Sequence, residues 1–566
     1  MSIELRDVSN PPRTYFSVWQ RLLRGYGPLA ALVIVLLLTA YLVPSKAKGT
    51  DVSTGGASGT QGGRTQTSTG VGTGATGATG GTDTGATGAT GGTGTSGGGG
   101  GGGGTVEGAG VTTCAGDQVN GDPYSPPCIL FSGDNGGNTY TGVNATEIHI
   151  AYRVLNEKGF QQTLAALAGA SLVDTPEDLK RTIETLVEYF NKSYQFYGRK
   201  MVIDYHDGKG SNTSELLGKG RDLAEADADT VQQLGSFAEF SATSEPYANA
   251  LAKRGIMGFG DPYLSVQWHD EHAPYIWSIA TAGTQVANFA AEYAVKKLCG
   301  GSATHADGVD ANGQPLKGRT RKFASFAPEN SWYQESVQVA RQTFTDAGCD
   351  PGVNVAYQLD LGTMSNQATT LITDMQSAGV TTMLCGCDPI IPVFLSGVAN
   401  RQGYYPEFIV VGTALTDFDI VGQLWNQNFA KHAFGVSPLT APRPASESIG
   451  YAAYKSIRGD EPAFSVELIY YQMAQMAIGL HMAGPNLTPQ TFEQGMFSYP
   501  PKLGPAGVWG FGPHDYTTSD DVREIYWDPN AISNYNQKQG AYIEMNAGAR
   551  YRQGEIPGGL QVPVPQ

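Results

Sequence analysis

The sequence is short of positive charge, of histidine and of long apolar runs. Lysine and arginine number 36 against 52 aspartates and glutamates, a formal net charge of -16, which disfavours nucleic acid and anionic lipid surfaces as partners. No phosphate-binding P-loop is present, and the eight histidines are scattered apart from His269-Asp270-Glu271-His272. That cluster would offer zinc two imidazoles if helical, but Pro274 and the polar flanks read as a solvated loop, so neither a metal nor another cofactor is expected. The G-x-S-x-G match at Gly94 to Gly98 sits in a glycine tract without the strand-turn-helix context such a nucleophile needs. The chain shows no reaction apparatus and reads as a non-enzyme.

One apolar run stands out, from Pro28 to Val43. Extended by Tyr26 and Gly27 it covers about 27 Å as a helix, enough for a bilayer core. Arg6, Arg13, Arg21 and Arg24 precede it against Glu4 and Asp7, so the positive-inside tendency places the N-terminus in the cytoplasm and the rest outside. The reading is a cytoplasmic tail over 1-25 and a membrane anchor over 26-44; a signal peptide cleaved near Ser45-Lys46-Ala47 is the competing one. No second stretch qualifies, because Thr381 to Val398 is broken by Asp388, Pro389 and Pro392. A Gly/Thr/Ala tract over 45-113 lacks the proline that collagen triplets require and reads as a flexible linker.

Cysteine is also sparse. Cys114, Cys128, Cys299, Cys349, Cys385 and Cys387 all fall on the outer side of the anchor, where disulfides persist. Cys114 with Cys128 is the expected pair, within a lead-in over 114-144. The other four allow three connectivities, of which a bond from the Cys385-Gly386-Cys387 segment to Cys299 or Cys349 is favoured over metal or redox chemistry.

From Glu147 onward short apolar strands alternate with amphipathic helices, the pattern of a largely parallel sheet covered on both faces. Ile148 to Ala151, Lys200 to Tyr205, Thr230 to Leu234 and Ile256 to Phe259 read as strands, with helices at Asp178 to Tyr194, Ser214 to Ala226 and Pro246 to Arg254. A second series follows the helix Val286 to Leu298, with strands at Lys322 to Phe326, Asn354 to Gln358, Thr381 to Leu384 and Phe408 to Val411. Two α/β lobes joined by crossovers account for both series.

The stretch VEYFNKSYQFYGRKMVIDYHDGKG, Val187 to Gly210, resembles the solute-binding proteins of type I periplasmic-binding fold, specifically the branched-chain amino acid and amide group, through Asn191, Gly198, Arg199, Lys200 and Asp207. DADTVQQLGSFAEFSA, YIWSIATAGTQVANFAAEYA and FASFAPENSWYQESVQVARQTFTDAGC are similar to that group's next strand and lip, its first hinge, and the opening of its second lobe. The resemblance implies an α/β fold of two doubly wound parallel-sheet lobes with hinge crossovers. Lobe one would cover 145-285 and 440-515, lobe two 286-439 and 516-556, and a C-terminal tail 557-566.

The resemblance further implies a small-molecule ligand held between the lobes, with ABC permease subunits as partners. Loops after strand C-termini lead into helix N-termini, whose free N–H groups favour a carboxylate. On lobe one those loops supply Ser236, Phe237, Asp261, Tyr263 and Ser265. On lobe two they supply Glu329, Asn330, Trp332, Tyr333, Asp388 and Thr413. Hydroxyls would hold a carboxylate, a side-chain carboxylate would meet an ammonium, and the rings would exclude water. Ser236 also suits a helix cap, and Asp207 a turn. Asp261-Pro262-Tyr263-Leu264-Ser265 and the bulky Phe237 depart from the usual Ser/Thr lip, so a larger amide or an aromatic-compatible solute stands beside an amino acid. A ligand-sensing surface receptor without transport is the alternative role.

Overall fold

The computed structural model describes residues 116–155, 174–260 and 263–565. The expected tail, anchor and linker, together with Cys114 and Asp261, lie outside the described residues. Among the described residues no helix is long and apolar enough to cross a membrane.

The first lobe opens with β1 (Glu147–Val154), α1 (Pro176–Ser193) and β2 (Lys200–Asp207), followed by α2 (Asn212–Leu216) and α3 (Arg221–Leu234). It continues through β3 (Ala238–Glu239), α4 (Glu245–Ala252), β4 (Met257–Gly260), α5 (Val266–Glu271) and β5 (Ile276–Ser278). The five strands pair in parallel in the order β2-β1-β3-β4-β5. α1 shows why such segments fold as they do. Thr175 caps it by accepting the Asp178 N–H, Glu177 and Asp178 meet the positive end of the dipole, and Ile183, Leu186, Val187 and Phe190 form its buried face.

α6 (Gly283–Lys297) begins the second lobe, and β6 (Asp307–Gly308) lies in a surface insertion. Then come β7 (Phe323–Pro328), α7 (Ser331–Asp346), β8 (Val353–Tyr357), α8 (Met364–Ser377), β9 (Thr382–Cys385) and α9 (Ile391–Gln402). β10 (Tyr404–Tyr405) pairs with β6, and β11 (Glu407–Val410), α10 (Asp419–Leu424), α11 (Gln427–Ala430) and β12 (Ala433–Ser437) complete the series. β8-β7-β9-β11-β12 repeats the strand order of the first lobe in parallel, so each sheet reverses its winding beside its first strand.

The chain then returns to the first lobe as α12 (Ile449–Ile457), α13 (Val466–Met482), α14 (Pro489–Phe497) and the hairpin β13 (Lys502–Gly504)–β14 (Gly507–Trp509). Its last elements, β15 (Asp521–Ile532), β16 (Gln539–Glu544) and β17 (Arg550–Arg552), add antiparallel strands beside β12. α13 is apolar nearly all round because it is a core helix: Tyr470, Met473, Met476, Ala477 and Ile478 are sealed in the largest hydrophobic cluster. The crossovers run side by side. Thr518 Oγ1 donates to the Ile279 carbonyl at 2.7 Å, Thr281 Oγ1 to that of Ser519 at 3.1 Å, and Ser519 Oγ to that of Pro438 at 3.5 Å.

Two sequence expectations fail here. Thr230 to Leu234 is the last turn of α3, not a strand. Ala224, Asp227, Ala228 and Val231 are buried at helical spacing, and Gly235, at φ 70°, ends the helix in the left-handed conformation. The disulfide pairing also differs. Cys299 bonds Cys349, and Cys385 bonds Cys387. Cys299 and Cys349 lie after α6 and α7, at the edge where parallel strands begin, whereas Cys385 ends β9 at the opposite edge, so a cross-bond would have to span the sheet. Cys128 is disulfide-bonded as well.

Candidate functional site

A cavity of about 390 Å³ opens where the C-terminal ends of the two sheets face each other. Lobe one contributes Asn212, Thr213 and Leu216 from α2, Thr243 after β3, Tyr263 after β4, and Ile279 and Ala280 after β5. Lobe two contributes Ala327 and Pro328 ending β7, Tyr333 of α7, Gly386, Cys387 and Asp388 after β9, and Thr413, Ala414 and Leu415 after β11. Its floor on lobe two therefore lies between β7 and β9, the switch point where doubly wound sheets bind ligands.

Direct bonds join the lobes around this cavity. Asn330 Nδ2 donates to the Leu216 carbonyl at 2.8 Å, and the Ala414 N–H donates to the Tyr263 hydroxyl at 3.0 Å. Trp332 is buried, and its ring lies close to Gly218 of the first lobe. Tyr263, Ala414 and Leu415 have φ of 50°, 47° and 64° without being glycine. Such backbone is strained and persists only where its surroundings impose it, here on both lips of the cavity. Gly283, at the start of α6, has no room for a side chain: a Cβ would stand 2.5 Å from the Tyr263 carbonyl oxygen and 2.7 Å from Ser336 Oγ.

Of the residues expected at the site, Tyr263, Tyr333, Asp388 and Thr413 line the cavity. Thr413 Oγ1 donates to the Cys387 carbonyl at 3.1 Å, bracing the loop that carries the Cys385–Cys387 bond. Asp388 does not await an ammonium. Its Oδ1 accepts the N–H groups of Ile390 and Ile391 at 2.7 and 3.1 Å, and its Oδ2 accepts the Tyr357 hydroxyl at 2.6 Å. Burial raises its pKa, against the pull of those hydrogen bonds. It holds the turn that leads into α9, accepting the first free N–H groups there.

The remaining expected residues fall elsewhere. Asn330 and Trp332 make the interlobe contact beside the cavity, and Glu329 is exposed next to them. Ser236 and Phe237 are not at the cavity: both are buried ahead of β3, at the end of the sheet away from the cleft, with Phe237 in the core. Taking the end of α3 for a strand put them on the wrong side and missed Thr243, which follows the true strand. Ser265 caps α5, accepting the Trp268 N–H at 3.0 Å, and is also outside the cavity.

His269 and His272 belong to α5 and its end rather than to a solvated loop. His269 is buried with Nδ1 3.3 Å from the Ile276 carbonyl, and burial lowers its pKa to about 4; His272 stacks on Trp268 at 3.7 Å between ring centres. Among the described residues no group of three or more His, Cys, Asp and Glu side chains is gathered as a metal ion would need. Asn212, Thr213 and Leu216 escaped the sequence reading; Ser211, whose hydroxyl accepts the Ser214 N–H, was the available signal for the short helix that carries them.

Two lobes with the same strand order, three crossovers between them and a cavity at their facing C-terminal ends define a two-lobed binding protein. The chain belongs to the periplasmic binding protein family, whose model matches residues 164–531. Among solved structures it is similar to a solute-binding protein of an ABC transporter from Rhodopseudomonas palustris BisB5, in complex with 3,4-dihydroxybenzoic acid. That match has 14% identity and a TM-score of 0.50, and covers 73% of this chain and 99% of that one. It is also similar to a leucine-, isoleucine-, valine-, threonine- and alanine-binding protein from Brucella ovis in a closed conformation, at 11% identity and a TM-score of 0.50, covering 74% of this chain and 99% of that one. At these identities the likeness is one of fold. No curated protein matches the sequence significantly.

Proposed function

We propose that the protein captures a small solute between its lobes, on the outer face of a membrane to which residues 26-44 anchor it, and delivers the solute to an ABC permease. The observation that carries this reading is the cavity itself, bounded by both sheets and bridged by the Asn330–Leu216 and Ala414–Tyr263 bonds. A solute touching both lobes favours their closed arrangement and shifts the population toward it.

The lining bears on which solute. Asp388 is its one carboxylate among the described residues, and its oxygens are committed to the turn before α9 and to the Tyr357 hydroxyl. The rest is largely apolar, with Asn212 and the hydroxyls of Thr213, Thr243, Tyr263 and Tyr333 as polar fixtures in the cleft and Arg341 as the lining's cation among the described residues. An aromatic or aliphatic acid or an amide suits this wall better than a free amino acid, whose ammonium would be buried without an anion. The two similar structures, one with a hydroxylated benzoic acid and one from a protein for aliphatic amino acids, set the range to screen.

The test is a thermal-shift screen of aromatic acids, aliphatic acids, amides and amino acids, with small-angle X-ray scattering on any that bind. A solute at a hundredfold excess over its Kd stabilises the fold by about 2.7 kcal/mol. No shift with any compound, or a shift without a more compact scattering profile, overturns the reading.

A further inference from the structure

Behind the cleft the cavity continues into the second lobe. Its lining follows α7 from Tyr333 through Val337 and Ala340 to Phe344, about 16 Å at the helical rise. α6 forms the facing wall with Val286, Ala287 and Ala290, and Ser325, Leu384 and Val411 of the sheet close the third side. The small side chains of Ala287, Ala290, Ser336 and Ala340 let the two helices pack closely, and the space lies between that pair and the sheet. The core on this face is correspondingly split. Phe289, Phe344, Leu384 and Ile409 belong to one cluster, while Val286, Ala290 and Val411 form a separate one. Both clusters contribute walls to the cavity. At the far end lie Pro351 and Arg341, whose Nη1 donates to the Gly352 carbonyl at 2.9 Å.

We propose that this recess is a chamber for the apolar chain of the captured solute, which enters tail first and leaves its polar end among Thr213, Thr243, Tyr263 and Tyr333 in the cleft. The whole cavity holds roughly a dozen non-hydrogen atoms at the volume a water molecule occupies in liquid, so the ligand class is a medium-chain aliphatic acid rather than a compact amino acid. The inference rests on interlobe capture as the role of the protein.

The experiment titrates the full chain with straight-chain acids from butanoate to tetradecanoate, below their micelle-forming concentrations, and follows lobe compaction by scattering. Affinity rises about fourfold per added methylene until the chain fills the chamber, at about ten carbons once the two carboxylate oxygens are counted within the cavity. Ala340→Phe stops the rise at a shorter chain, and the milder Ala287→Leu does so at an intermediate length; the melting curve of each variant confirms that it folds. Acids that compact the lobes with an affinity independent of length, or variants that titrate as wild type, overturn the chamber and leave capture standing. Length-dependent binding without compaction supports the chamber and overturns capture. Failure of every acid to bind up to about 1 mM, a free energy of only about -4 kcal/mol, overturns the chamber.

Discussion

Arg153 grips Glu215 with both ends of its guanidinium, Nη1 on Oε1 at 2.8 Å and Nη2 on Oε2 at 3.0 Å, and both side chains are sealed from solvent. The pair ties the end of β1 to α2, the short helix that brings Asn212, Thr213 and Leu216 to the cavity. Asp227 lies 3.4 Å from the same Nη1, and the Tyr247 ring centre lies 3.6 Å from the guanidinium carbon. Arg153→Met strands buried carboxylates without their cation and costs about 3–5 kcal/mol in denaturant unfolding. The double variant Arg153→Met/Glu215→Met recovers part of that loss. A double variant no better than the sum of the two single ones would show that the pair does not act as a unit.

Asn330 reaches from α7 to the Leu216 carbonyl at 2.8 Å, so it bears on lobe position more than on the stability of either lobe. Asn330→Ala removes a bond worth about 0.5–1.5 kcal/mol, which weakens solute affinity several-fold while the unfolding midpoint changes little. Scattering of the solute-free variant shows a more open particle than wild type. Equal affinity and equal radius in the two proteins would mean that the Asn330–Leu216 bond does not bear on lobe position.

The second lobe was the more legible in the sequence, and the reason is length. β7, β8, β9 and β11 each form a separate apolar run bounded by a turn, and the four expected strands lie within a few residues of the observed ones. The first lobe hid β3, which is only Ala238–Glu239 and too short to carry an alternating pattern, while the Val231-Gln232-Gln233-Leu234 end of α3 imitated one. That single misreading moved Ser236 and Phe237 to the cleft and left Thr243 out. Tyr263, Tyr333 and Thr413 were recoverable because each follows a strand or opens a helix on the cleft side. Asp388 was found for its position but given the wrong task, because a carboxylate that holds a turn and one that binds an ammonium have the same sequence signature. The recess behind the cleft was illegible: small residues such as Ala287 and Ala340 at helical spacing read as ordinary packing until the facing wall is known.

Cys299–Cys349 clamps the ends of the two helices that wall the recess, with a sequence separation of 50. The chain-entropy model assigns about 4 kcal/mol to closing a loop of that length. Cys299→Ser/Cys349→Ser therefore unfolds at a markedly lower denaturant concentration, by the equivalent of about 2–4 kcal/mol. Because α6 and α7 separate more readily without the bond, long-chain acids lose more affinity than short ones. Identical unfolding midpoints for the oxidised protein and the double variant would remove the bond from the energetics of this lobe.

Glu239 supplies a pH dependence of defined sign. It ends β3 with no exposed surface, and burial raises its pKa to about 7 from the ordinary 4.5, against the Ser241 hydroxyl, the Arg153 charge and the backbone N–H groups of both residues, which pull it down. The folded protein thus keeps a proton in the interval between 4.5 and 7 that the unfolded chain has already released. Where the folded state binds more protons, stability falls as pH rises, so this carboxyl withdraws about 3 kcal/mol across that interval and nothing further above it. Glu239→Gln cannot titrate, and its amide meets the donors of Arg153 and Ser241 less well, so it starts below wild type at low pH. Measured by urea unfolding at steps of pH, the wild-type advantage over this variant shrinks by about 3 kcal/mol between pH 4.5 and pH 7.5. A constant difference across that range would mean that Glu239 carries the same charge folded and unfolded.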